Sequence, residues 1–304
     1  MHISKKQLTA LFLCSLVTYM VGNGLLPLLP VYAESMGANA MVEGLYLALA
    51  YLAIAVGALC AGRVSASRLG RKIPIIFAYL LAAPVAWLLG RVTSLWGLVL
   101  LTALLWFFGG VGLALSMILT GLSAGENERG KIFGVISLTI GLGAVIGGLG
   151  TGWLVKGWGF PMMFSALAAL LLLGSVAGLF LEEKDVQAGQ PREEQPRVSA
   201  PLGRNYSFLF WASTLVSTGG FIFIFIRSLS MSGLGFDALE ISSSGVVGGL
   251  ISFPLPFLMG WLSDRFDRKK VLLLGYLLAV IGLLLLAGSR QLWHFWLVSF
   301  LTGI

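Results

Sequence analysis

The feature that most constrains this chain is a succession of long apolar runs, each close to the length a helix needs to cross a bilayer. A hydrocarbon core about 30 Å thick takes roughly 20 apolar residues per helix. Candidate segments fall at 8–33, 42–62, 73–91, 95–120, 131–154, 160–181, 206–229, 239–262, 270–288 and 292–304. Charged residues are only 11% of the 304 residues, against about 25% in soluble domains. Too few charges remain to cover a water-facing surface of this size. In lipid each backbone polar group must be satisfied within its own helix. The expected fold is therefore an all-α polytopic membrane protein.

The same residues exclude several functions. His2 and His294 stand alone with no ligand spacing around them, so no metal site is expected. Cys14 and Cys60 lie inside apolar runs and read as small hydrophobes rather than a disulfide. No HExxH pattern and no His/Cys metal-ligand spacing are present, which argues against a membrane-embedded metalloenzyme. No Walker A motif is present either, so ATP hydrolysis is not the expected driving force, and no cofactor is expected. The net charge of +7 sits in short clusters between apolar runs, which fits membrane topology rather than nucleic-acid binding. Lys5 and Lys6 precede the first run, but that run is too long for a signal-peptide core and lacks a small-residue cleavage site, so it reads as an anchor.

Lysine and arginine set the orientation. With the N-terminus inside, every basic residue except Arg91, Lys156, Arg227 and Arg290 falls on the inner side. The one extended polar stretch, EEKDVQAGQPREEQPRVSAPLGRN, is also inside and reads as a flexible linker. The expected organisation is a six-helix N-terminal half at 1–181, a cytoplasmic linker at 182–205, and a second half at 206–304. The tenth run stops after about 13 residues, too few to cross. The second half is therefore expected to be C-terminally truncated, and the chain as given is expected not to transport.

An internal repeat supports the division. The loop after the second run reads GRVSASRLGRK, with Gly62, Arg68, Gly70, Arg71 and Lys72; the loop after the eighth reads GWLSDRFDRKK, with Gly260, Asp264, Arg265, Arg268 and Lys269. Arg68, Arg71 and Lys72 pair with Arg265, Arg268 and Lys269 at one constant offset. Met36-Gly37 before the second run likewise parallels Leu234-Gly235 before the eighth. Two related halves joined by an inner linker are an architecture of secondary transporters.

These loops resemble the signature of the major facilitator superfamily, G-x-L-[SA]-D-R-x-G-R-[RK], which lies between helices two and three and is echoed between helices eight and nine. The second copy departs from it at Asp267. The first carries Ala66-Ser67 where the aspartate belongs. Pro27 and Pro30 near the end of the first run resemble the P-x-x-P of drug–proton antiporter branches. Gly134, Gly143, Gly147, Gly148 and Gly152 follow the spacing of an antiporter glycine motif, with Gly148 replacing its proline and Thr151 one glycine. Glycine-mediated helix packing explains the same residues. The arginine associated with proton coupling in helix four is absent, its place taken by Trp106.

The resemblance implies a monomeric plasma-membrane transporter that works by alternating access and binds a small-molecule substrate within the lipid bilayer. H+ or Na+ would be its coupling ion. It also implies an inner gate, in which a loop aspartate caps a helix of the opposite half. By pseudo-symmetry Asp264 would then meet the start of helix five, near Glu126, Glu128 and Arg129, with Arg265 and Arg268 joining the charge network. The other reading makes these residues topology markers only.

Candidates for the central cavity are Tyr19, Asn23, Trp106, Phe107, Ser116, Trp211, Phe223 and Arg227. Arg227 would either snorkel at the outer interface or line the outer mouth with Glu34 or Glu43. An apolar, aromatic cavity suits lipophilic or amphipathic solutes. The expected activity is ion-gradient-driven efflux of such compounds, with uptake of a small metabolite as the alternative.

Overall fold

The computed structural model describes residues 3–67, 70–125, 128–183, 203–251, 258, 262 and 265–302. The described residues form helices joined by short turns. They are α1 (Lys5–Leu25), α2 (Leu29–Ser35), α3 (Ala40–Ser65), α4 (Lys72–Leu89), α5 (Leu95–Ser123), α6 (Arg129–Leu179), α7 (Arg204–Gly233), α8 (Ala238–Ile251), α9 (Arg268–Leu286) and α10 (Leu292–Thr302). Five of them, α1, α3, α4, α5 and α6, are long and apolar enough to cross a membrane. The starts of α1, α3 and α5 are fixed by polar caps. The Ser4 hydroxyl accepts from Gln7 N at 3.1 Å, Asn39 Oδ1 from Val42 N at 3.0 Å, and Ser94 Oγ from Gly97 N at 3.2 Å.

The first expected span, 8–33, is two helices. Pro30 has no N–H and sits in the first turn of α2, where none is needed. It cannot extend α1, so the chain turns between Leu25 and Leu29 around Pro27. Conversely, the spans at 131–154 and 160–181 are joined into α6 with a break at Gly159, whose φ of 78° favours glycine and which stands two residues before Pro161. The segment expected at 239–262 is seen as α8 up to Ile251, and most of the remainder lies outside the described residues.

Packing follows small residues. α3 and α5 cross where a Cβ on Gly57 would meet the Phe107 carbonyl, and one on Gly110 would meet the Ile54 carbonyl. α6 is the central element. It lies along α1 and α4 and, across the halves, along α8, while α10 packs on α9 and α8. The expected glycine ladder on α6 divides between two of these contacts. Gly143 and Gly147 face the α1 backbone at Tyr19 and Met20; Gly148 and Gly152 face Val246, Ser242 and Leu239 of α8. Thr151 ties the same seam, donating to Gly24 O of α1 at 3.0 Å. No described residue lies within 4 Å of the Cβ position of Gly134.

Large apolar side chains such as Leu59, Leu100, Trp96 and Trp153 point outward from the bundle, as a lipid-facing surface requires. Arg91 stacks on Trp87 at 3.6 Å near one end of this apolar band, where aromatic rings sit at a headgroup level.

Candidate functional site

Two cavities lie beside α1. The larger, about 680 Å³, is enclosed by α1, α6 and α7–α10, and its walls include Asn23, Pro27, Phe223, Arg227, Tyr276 and Ser299. The smaller, about 250 Å³, lies within the N-terminal half against Tyr19, Tyr51, Tyr79 and Trp106. Asn23, Leu26 and Phe221 line both. The rings of Tyr51 in α3 and Phe221 in α7 approach to 3.8 Å between centroids, so this partition bridges the halves.

Of the candidates, Asn23, Phe223 and Arg227 line the larger cavity, and Tyr19, Asn23 and Trp106 the smaller. The structure removes Phe107, Ser116 and Trp211 from these walls. Phe107 turns away, edge-on to its neighbour Phe108, and Phe108 takes the cavity face instead, because adjacent helical residues point about 100° apart. Ser116 is buried in the packed side of α5. Trp211 is 63% exposed on the outside of α7, edge-on to Phe210. The walls also include residues that the sequence reading missed, among them Tyr51, Tyr79, Tyr276 and Ser299.

Arg227 does not snorkel: it is only 4% exposed. Its Nη1 donates to Ser299 Oγ of α10 at 2.7 Å and, at 3.4 Å, to Ser244 O of α8. The guanidinium lies 5.2 Å from the Phe223 ring centre, and its Nε is buried without a hydrogen-bond partner among the described residues. Neither expected glutamate pairs with it. Glu34 accepts from the Ser232 hydroxyl at 2.6 Å, and Glu43 is buried with its Oε2 unpartnered among the described residues.

The basic loop after α3 is described in part. Gly70 has φ of 67°, a region that disfavours side chains, and the Glu183 carboxylate lies against the place a Cβ would occupy. Glu183 Oε1 accepts from Arg71 N at 2.6 Å, and Oε2 accepts from Lys72 N at 3.2 Å. Arg71 Nη1 stands 3.6 Å from the same carboxylate, while Arg71 Nε donates to Ser65 Oγ at 3.0 Å. Glu183 therefore neutralises the positive end of α4. The sequence reading had placed it in the linker. An acidic pair directly after an apolar run, opposite a basic loop, was the available signal. Its neighbour Glu182 is held as well, by the Ser4 hydroxyl at 2.9 Å and by Gln7.

Gly62 lies in α3 with no described residue within 4 Å of its Cβ position. Arg68, Gly260, Asp264 and Glu126 lie outside the described residues, as do the side chains of Arg268 and Lys269 at the start of α9. Arg265 is exposed; Glu128 precedes α6 without a side-chain cap hydrogen bond, and Arg129 opens that helix. The expected contact of Asp264 with this helix end falls outside the described residues.

At the opposite end of the bundle from Ser4, called the far side below, Lys156 Nζ stands 2.7 Å from Asp237 Oδ2. Asp237 also caps α8 in a reciprocal box. Its Oδ1 accepts from Glu240 N at 2.9 Å, and Glu240 Oε2 accepts from Asp237 N at 2.8 Å. Partial burial works to raise the Asp237 pKa. The hydrogen bonds from Lys156 and from the backbone of Glu240 and Leu239 outweigh it and hold the carboxyl below its usual range.

A profile of the Major Facilitator Superfamily matches residues 11–304. The chain belongs to that superfamily. Its members are secondary transporters of small molecules rather than enzymes, and this chain is a multi-pass membrane transporter of that kind.

It is 28% identical to the multidrug resistance protein MdtG of Citrobacter koseri, over 98% of this chain and 76% of that protein. Against the MdtG of Klebsiella pneumoniae it is 27% identical over 98% of this chain and 75% of the relative. Among solved structures, a bacterial homologue of the lysosomal transporter Spinster, in an inward-facing and occupied conformation, superposes with a TM-score of 0.74 at 16% identity, over 99% of this chain and 73% of that one. The nucleoside transporter NupG gives 0.70 at 18% identity, over 99% and 79%. These structures share the fold. Within a facilitator fold, the larger cavity lies between the two halves, and the Lys156–Asp237 and Glu34–Ser232 contacts join those halves at the far side.

Proposed function

We propose that this facilitator exports lipophilic or amphipathic compounds, driven by an ion gradient, by alternating access to the larger cavity. The cavity wall carries the reading. It is shared by both halves and is largely aliphatic and aromatic, with Arg227 as its one cationic side chain among the described residues. The MdtG relatives bear the name of multidrug resistance proteins, which supports export rather than uptake. In this reading the N-terminus and the segment at 182–205 are cytoplasmic, as the lysine and arginine bias favours. The protein acts as a monomer with H+ or Na+ as coupling ion, the halves at 1–181 and 206–304 move against each other, and Asp264 closes the inner side against the start of α6.

Expression of the complete reading frame in a bacterium lacking its own drug exporters tests this. Accumulation of a lipophilic dye falls, and the fall vanishes when the ion gradient is collapsed. Unchanged dye accumulation together with increased uptake of a defined sugar or amino acid would replace this reading with an uptake carrier.

A further inference from the structure

Arg227 holds a formal charge away from water with no opposite charge beside it among the described residues. Its Nη1 is engaged by two neutral oxygens, those of Ser299 and Ser244, and its Nε by none among the described residues. The described cavity wall contains no carboxylate. On the far side, Glu34 is occupied by Ser232 and Asp237 by Lys156. An unpaired charge at membrane depth is costly and is retained where a ligand or pathway uses it.

The guanidinium's surroundings also leave room for a partner. Nη2 lies 3.6 Å from where a Cβ on Gly245 would stand, so this glycine leaves one edge of the guanidinium uncrowded. From that point the wall continues through Leu26, Ile140, Phe221, Ile224 and Val280, which are all apolar. A small inorganic anion would leave this wall bare. A neutral lipophile would leave the arginine without its counter-charge.

The geometry points to Arg227 as the docking cation for an amphipathic anion, with its carboxylate or phosphate head on the guanidinium and its apolar tail along the larger cavity. A guanidinium fork matches either oxyanion. This inference rests on the transporter reading above and narrows its substrate class. The head could belong to a free solute or to an anionic lipid of the bilayer, since both present the same oxyanion.

The test uses the purified chain in phosphatidylcholine nanodiscs and two fluorescent probes with one tail: 11-(dansylamino)undecanoic acid and its neutral methyl ester. The wild type binds the acid about tenfold more tightly than the ester, a difference easily resolved in a titration. Arg227→Met abolishes that preference while keeping ester binding and thermal stability, because no ion pair is broken. Gly245→Val, which fills the space beside Nη2 and keeps the charge, reduces the preference in the same direction and serves if Arg227→Met does not fold. Equal binding of acid and ester by the wild type overturns the inference, as does a preference that survives both substitutions. If the wild type binds neither probe, the transporter reading of this cavity fails instead; if it binds the ester and not the acid, only the present inference fails. Repeating the titration with phosphatidylglycerol in the nanodisc separates the sources. A lipid occupant weakens acid binding by competition, whereas a free-solute site leaves it unchanged.

Discussion

At the scale of single residues, the glycines of α6 look alike in sequence but not in their surroundings. A Cβ on Gly147 would run into the Met20 carbonyl of α1, and backbone cannot swing aside as a flexible side chain would. Gly147→Ala must therefore push α1 from α6, and overpacking of this kind costs about 1–3 kcal/mol. Gly134 has no described residue within 4 Å of its Cβ position. Gly134→Ala is accordingly neutral, or stabilising by up to about 1 kcal/mol through helix propensity. Thermal unfolding of the two variants in one detergent checks this, and similar melting temperatures would refute the assignment of Gly147 to the α1 seam. The sequence showed a glycine ladder but not which rungs touch. The same limit applied to the cavity. Trp106 and Phe107 are adjacent aromatic residues in a helix that is apolar all round, so nothing in the pattern marks a core-facing side. Arg227 was easier to recognise, since a charge inside an apolar run has few reasons to be there.

At the scale of elements, the end of α2 and the end of α7 repeat one device. Gly37 and Gly235 adopt φ of 85° and 83°, Ala38 N bonds to Ala33 O at 3.1 Å, and Phe236 N bonds to Met231 O at 3.1 Å. Both are Schellman-type helix ends, which need a left-handed residue. The parallel of Met36-Gly37 with Leu234-Gly235 was legible in the sequence because such a turn constrains residue type. The Glu183 contact was not, since it joins residues far apart in the chain. Just past the second of these turns, Asp237 both caps α8 and meets Lys156 of α6. Its folded pKa is depressed, so its stabilising contribution is present above its unfolded pKa, which is about 3.9, and is lost as pH falls through the folded value. The pair is therefore intact at neutral pH and opens only in acid. Both partners are partly exposed, 54% and 37%, so solvent screening keeps the contribution of the pair small. Asp237→Asn keeps the cap oxygen and removes the charge. Compared with the wild type at the same pH, it should make labelling of a cysteine placed near Lys156 on the far side faster at neutral pH, and the difference should shrink as pH falls and Asp237 takes up its proton. A ratio of the two labelling rates that does not change with pH would place the titrating group elsewhere.

At the scale of the whole molecule, the far side is where the two halves can be joined or released. Ser232 of α7 and Glu34 of α2 come within 2.6 Å, and the Lys156–Asp237 pair lies on the same side. If the halves rock about the cavity as rigid bodies, a covalent tie here must stop transport, whereas a tie inside one half must not. The control is at hand in the N-terminal half, where the Ser4 hydroxyl reaches Glu182 at 2.9 Å. Of the native cysteines, Cys14 is buried and Cys60 is partly accessible, so Cys60→Ala provides a suitable background. In the complete reading frame, Glu34→Cys with Ser232→Cys should lose most dye export when bridged by a short thiol-reactive cross-linker that a reductant can cleave. Export should return on reduction. Ser4→Cys with Glu182→Cys, treated alike, should retain most of its export, because no relative motion is needed between α1 and the end of α6. Full export by the bridged Glu34–Ser232 pair would mean that the far side does not open in the cycle, and the rocking of one half against the other would have to be abandoned.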